Sequence, residues 1–183
     1  MAGLRKANAY SKQRVHAFTR ISKKKNKAYI KTVPPQKIVK FTMGKEQMFD
    51  AGKLPHQLTM IATEDVQIRH NALESCRQYI NKKLDEELGG NYLFRVLPFP
   101  HHIQRENRML AGAGADRMQT GMSHSFGKPI GKSAILKKGS RIFFIAVQNP
   151  KAVLSTRHVL KQIKSKLPCK TTILYQEIKA EGK

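Results

Sequence analysis

The stretch that decides the fold is RIFFIAVQNPKAVLSTRHVLKQIKSKLPCKTTILYQEI, residues 141–178. It opens on an apolar, β-branched and aromatic run, Arg141–Val147, which reads as a strand. A helix follows with a clear start, Asn149 as N-cap and Pro150 at the first helical position. Its apolar seam is Val153, Leu160, Ile163 and Leu167, and Pro168 stops it. Lys151, Arg157, Lys161, Lys164 and Lys166 cover much of the remaining face. Thr171–Ile178 is the final strand. Along the chain strands outnumber helices and the connections are short, which predicts an α+β domain.

Working back toward the N-terminus, Ser133–Leu136 and Arg141–Val147 look like a hairpin across Lys138-Gly139. Tyr92–Leu97 reads as a strand stopped by Pro98 and Pro100. A long helix precedes it, with its seam on Val66, His70, Leu73, Cys76 or Arg77, Ile80, Leu84 and Leu88. Thr63 is its expected N-cap, Glu64 and Asp65 its first turn, and Gly89-Gly90 its end. Leu58–Ala62 is a short apolar run, and Ile38, Val39, Phe41 and Met43 suggest a strand stopped by Gly44. The expected body is therefore a mixed sheet with two packed helices over residues 36–178. A basic arm, 1–35, precedes it and a short tail, 179–183, follows. Residues 98–132 do not read as regular structure and form a long central loop.

The charge points to a partner. Among 183 residues, 35 Lys and Arg face 12 Asp and Glu, a net +23. Roughly 2–8 charges suffice to keep a small domain soluble, so the excess implies a polyanion, and nucleic acid leads. Residues 1–45 carry Arg5, Lys6, Lys12, Arg14, Arg20, Lys23, Lys24, Lys25, Lys27, Lys31, Lys37, Lys40 and Lys45, and the first carboxylate is Glu46. Tyr10, Phe18, Tyr29 and Phe41 are interleaved, available to stack on bases or to pin the arm to the body. An arm lying on phosphates predicts that deleting residues 1–35 lowers the slope of log affinity against log salt. No run approaches the roughly 18 apolar residues of a membrane span, and residues 1–18 lack the apolar stretch of a secretory signal. Cys76 and Cys169 have no His at ligand spacing, which argues against a zinc site or a disulfide framework and for reduced thiols in an intracellular protein. No metal and no cofactor is expected.

The central loop reads PFPHHIQRENRMLAGAGADRMQTGMSHSFGKPIGK, residues 98–132. It is not a Walker loop: Gly131-Lys132-Ser133 supplies the end, but Phe126 stands where the first glycine is needed. Gly112-Ala-Gly114 opens a dinucleotide fingerprint that fails at Arg117. Binding fits better. Arg105, Arg108, Arg117, Lys128 and Lys132 are spread along a glycine-rich backbone that can approach RNA closely, with arginine forks suited to phosphates and bases. Met109, Leu110, Met118 and Met122 are out of place in a purely solvated loop.

Arg105-x-Asn107-Arg108-Met109-Leu110, Ala113-Gly114-Ala115-Asp116-Arg117-x-Gln119-x-Gly121-Met122 and Phe126-Gly127-Lys128-Pro129-x-Gly131 together resemble one family. It is the large-subunit ribosomal family called L-sixteen in bacteria and L-ten-e in archaea. The likeness extends to Phe18-Thr19-Arg20, to Phe94-Arg95-Val96-x-Pro98 and to Lys166-Leu167-Pro168. Length and basic arm look like the archaeal branch. The resemblance implies an α/β-hammerhead body docked on large-subunit rRNA near the tRNA path, and a structural role without catalysis. It implies support for subunit maturation and tRNA accommodation, in the cytoplasmic large ribosomal subunit. Implied partners are large-subunit rRNA, tRNA in the assembled ribosome, neighbouring large-subunit proteins and assembly factors; neither a membrane nor a second copy is expected. Expected rRNA contacts are Arg5, Lys6, Lys12, Arg14, Arg20, Lys23, Lys24, Lys25, Lys27, Lys31, Lys37, Arg95, Lys128 and Lys132. Arg105, Asn107, Arg108, Met109, Gly112, Gly114, Asp116, Arg117 and Gln119 would face the tRNA and the peptidyl-transferase region. Ser123 stands where the family commonly has Arg, and Lys23–Lys25 looks like an insertion. Two alternatives from other classes are an RNA-processing enzyme using His101, His102 or His124, and a basic DNA-compacting protein.

Overall fold

The computed structural model describes residues 6–12, 16–19, 30, 32–106 and 127–178. Among them, eight strands and three α-helices follow in the order β1 (Thr42–Gly44), α1 (Glu46–Asp50), β2 (His56–Ala62), β3 (Val66–Arg69), α2 (His70–Leu88), β4 (Tyr92–Val96), β5 (His102–Glu106), β6 (Lys128–Leu136), β7 (Arg141–Val147), α3 (Pro150–Gln162) and β8 (Thr171–Glu177). A 3-10 turn, Ile163–Lys166, extends α3. The protein is α+β, with its strands divided between two sheets. The larger has the order β1-β4-β7-β2-β8 and the smaller β3-β6-β5. Every described pairing is antiparallel.

Period-two patterning builds the core. In β2, His56, Leu58, Met60 and Ala62 are buried and alternate with partly exposed residues. Phe143, Ile145 and Val147 of β7 share a face with Tyr92, Phe94 and Val96 of β4, and α2 and α3 cover that face with Leu73, Ile80, Leu84, Val159, Leu160 and Ile163. The expected helix registers hold: Leu73, Ile80, Leu160 and Ile163 are fully buried and Val153 nearly so. The opposite face is thinner, with Leu93 and Ala146 meeting Leu54 and the side chains of Met48, Phe49 and Phe144. Gly44 ends β1 because only glycine fits there. Its φ is +89°, and a Cβ would stand 2.1 Å from the Tyr92 carbonyl oxygen.

Four local expectations are corrected. The long helix begins at His70, not Thr63, because Val66, Gln67 and Ile68 are buried in succession as strand β3 against β6. The expected cap residues serve other chain segments. Thr63 donates its hydroxyl to the Lys170 carbonyl, Glu64 accepts from the Lys170 N–H, and Asp65 accepts from the Lys138 N–H. Second, β6 and β7 are consecutive but not a hairpin; the turn at Lys138-Gly139 passes the chain from the small sheet to the large one. Third, Ile38 and Val39 precede β1 rather than belonging to it. Fourth, residues 98–132 are not wholly irregular. Both ends form strands, β5 and β6, and the register shifts between Gln104 and Arg105 opposite Pro129, which has no N–H for the ladder.

Candidate nucleic-acid interface

The small sheet is the stem from which the central segment leaves and to which it returns. Glu106 and Lys128 are register partners at its end, so both ends of residues 107–126 are held together. Beneath the stem lies a buried polar layer. Ser133 Oγ and Gln104 Nε2 both donate to Gln67 Oε1, at 3.3 and 3.4 Å. His70 begins α2 under β6, where a Cβ on Gly131 would come within 3.0 Å of its Nε2. Gly131 therefore lets the strand lie on the imidazole.

The arm clasps this stem. Phe18 donates its N–H to His102 Nδ1 at 3.1 Å and accepts from the Ile103 N–H at 2.9 Å. Its ring lies 4.1 Å beneath the Arg105 guanidinium, a cation–π contact strengthened by partial burial. Tyr10, in left-handed backbone at φ 64°, donates its hydroxyl to Glu106 Oε1 at 2.5 Å. Ser11 accepts from the Gln67 N–H at 2.8 Å, and Ile30 is fully buried. Rings in the arm thus pin it to the body, as one of the two roles expected for Tyr10 and Phe18. The polar layer of Gln67, Gln104 and Ser133 had no signal in the sequence, because isolated polar residues on a strand normally face water.

Of the expected contact residues, Lys6, Lys12, Lys37 and Lys128 are exposed and Lys132 half-buried on β6. Arg95, on β4, is engaged by the Glu46 carboxylate and lies over the Phe49 ring at 5.7 Å. Arg105 is half-buried, and desolvation lowers its pKa. Arg5, Arg14, Arg20, Lys23, Lys24, Lys25, Lys27, Lys31, Asn107, Arg108, Met109, Gly112, Gly114, Asp116, Arg117 and Gln119 lie outside the described residues, as does His124.

The histidines are arranged for structure. Burial, followed by the charges of His101 and Arg105, pushes His102 down to about 4. Burial, then Lys37, Arg69 and Lys132, pushes His70 to about 4. Both are neutral in the folded protein at pH 7, whereas an unfolded imidazole takes a proton near 6.5. Their contribution to stability is therefore complete above about pH 6.5 and is lost as pH falls toward 4, at about 1.4 kcal/mol per unit of displacement. The thermal midpoint should fall across that window, and His102→Gln should flatten the fall; an unchanged profile in that variant would contradict the assignment. His101 donates Nδ1–H to the Phe99 carbonyl at 3.1 Å. Cys76 and Cys169 are free and buried, which pushes their thiols up to about 12 and about 11. Among the described residues, no group of three or more His, Cys, Asp and Glu could hold a metal ion. No helix among them is long and apolar enough to cross a membrane.

The fold and site define a basic α+β protein whose N-terminal segment is clasped to the small sheet. The ribosomal protein L16p/L10e family model matches residues 17–174, and the chain belongs to that family. Among its relatives, the large ribosomal subunit protein uL16 of Sulfolobus acidocaldarius is 42% identical over 98% of this chain and 97% of its own length. That of Hyperthermus butylicus is 40% identical over 97% and 96%, and that of Methanococcus maripaludis strain C7 40% over 93% and 94%. These relatives are ribosomal proteins and not enzymes.

Proposed function

We propose that the protein is a structural constituent of the large ribosomal subunit that binds large-subunit rRNA through its arm and the stem of its central loop. What carries this reading is the family match itself, which covers both Phe18 of the arm and the stem strands. A net charge of +23 supplies the affinity for phosphate. Residues 1–35 act as the rRNA-binding arm and 36–178 as the body. Lys6, Lys12, Lys37, Lys128 and Lys132 join Arg5, Arg14, Arg20, Lys23, Lys24, Lys25, Lys27 and Lys31 on phosphates. Arg95 contributes less, because Glu46 shares its charge. Competition at matched salt tests this: an rRNA fragment should displace the protein from duplex DNA of equal length, and equal competition would instead favour a DNA-compacting protein.

The finer reading places residues 105–122 beside the tRNA path, facing the peptidyl-transferase region, where they aid subunit maturation and tRNA accommodation. Work would then be in the cytoplasm, as one copy beside neighbouring proteins and assembly factors. Arg105 holds the base of the segment against Phe18, so Arg105→Ser should leave incorporation into subunits largely intact and slow peptide-bond formation. Phe18→Ala removes no charge yet takes away the ring beneath the same guanidinium, and should reproduce part of that slowing. Variant subunits that elongate at the parental rate would refute the assignment, and poor incorporation would make the loop an anchor.

A further inference from the structure

Beyond the arm and the stem, the segments that flank β1 and β4 carry an aromatic patch that the described residues leave exposed. Phe99 is 59% exposed although its neighbours Pro98 and Pro100 are buried. Two prolines restrict the backbone on either side, so the ring is presented from a stiff segment rather than a mobile tip. Val96 donates its N–H to the Phe41 carbonyl and Leu97 to that of Ile142, which anchors this segment across the sheet edge. The Phe41 ring lies 5.8 Å from that of Phe99 at an interplanar angle of 30°. Phe99 makes no other ring contact among the described residues, and Val39 and Leu97, two positions before Phe41 and Phe99, are exposed as well. Exposed Lys40 and Arg141 adjoin it in the chain, next to Phe41 and Ile142. Glu74, which accepts from the Val39 backbone, is held by Arg77 at 2.6 Å, so its carboxylate is already matched by a cation.

We propose that Phe99, backed by Phe41, is a stacking platform for one unpaired RNA base, with Lys40 and Arg141 on the flanking phosphates. An exposed phenyl ring in a +23 chain is where an extruded base gains most. It offers a flat apolar face to any of the four bases, and the chain's positive charge supplies the backbone contact. A protein neighbour could cover the same ring, but the chain's overall charge favours nucleic acid. This inference rests on the RNA-binding function proposed above and adds the ligand's chemistry, a single-stranded base, and the residue that takes it.

The chain contains no tryptophan, so Phe99→Trp introduces a single fluorescent reporter at the platform. The probes are a single-stranded RNA dodecamer and a fully paired RNA duplex of equal length, titrated against the full chain. The single strand should quench the introduced indole strongly and the duplex should not. Phe99→Ala should weaken single-strand affinity about tenfold, within the range of one base stack removed, while duplex affinity and the salt slope stay parental. Equal single-strand affinity in Phe99→Ala and the parent would overturn the stacking site alone. A parent that binds neither RNA would overturn the RNA-binding reading and this inference with it. Unchanged RNA binding, with loss of a neighbouring protein from purified subunits, would show a protein-docking face and also overturn the proposal.

Discussion

Phe143→Ala should lower the free energy of unfolding by about 3–5 kcal/mol, the usual cost of emptying a buried aromatic site. Phe143 has no exposed surface, and its ring packs 5.8 Å from that of Phe94. It lies on β7, which pairs with β2 on one side and β4 on the other, so the cavity cannot collapse without moving both ladders. Small domains are stable by only about 5–15 kcal/mol, and a loss of that size is a large part of the total. Chemical denaturation measures it, with Leu154→Ala as the control: Leu154 is 71% exposed on α3 and its truncation should change stability by less than about 0.5 kcal/mol. Coincident unfolding curves for Phe143→Ala and the parent would mean that the face shared by α2, α3 and the large sheet is wrongly placed.

Replacing Arg20, Lys23, Lys24, Lys25 and Lys27 together with Gln should flatten the slope of log affinity for rRNA against log salt by about 3.5–4.5. Each cation taken off a phosphate lowers the slope by about 0.7 on single strands and about 0.9 on duplex. This is a cleaner experiment than deleting residues 1–35. Ser11 and Ile30 are buried, and Phe18 and Tyr10 hold the stem, so deletion would damage the body as well as remove charge. The five-fold replacement keeps those anchors. An unchanged slope would show that these cations are not on phosphates, whatever the affinity does.

Much of the fold is legible in the chain because local signals agree with the tertiary result. Asn149-Pro150 opens α3 and Gly89, left-handed at φ 56°, closes α2. The continuous apolar run of β7 and the helical seams locate the core. The misreadings share a cause: residues with strong local meaning are used non-locally. Thr63, Glu64 and Asp65 resemble a helix cap but bind Lys170 and Lys138, more than seventy residues away. Pro129 and Gly131 resemble loop residues but sit in β6, where a register shift accommodates the first and the His70 ring needs the second. The family motif singles out Arg105, and the structure adds a contact no spacing could show, its seat on Phe18 eighty-seven positions earlier. The aromatic arm residues are visible in the sequence; their partners on β5 are not, since β5 itself, HIQRE, carries little strand signal.

Sedimentation tests the central claim most directly. Extract from cells producing the tagged full chain is spun through a sucrose gradient at moderate salt and magnesium, and the chain is quantified in every fraction. It should travel with the large subunit, close to one copy per subunit, and leave that peak when the salt is raised far enough to screen phosphate contacts. A chain that stays with the free proteins at the top of the gradient, or follows DNA rather than the large subunit, would contradict the account.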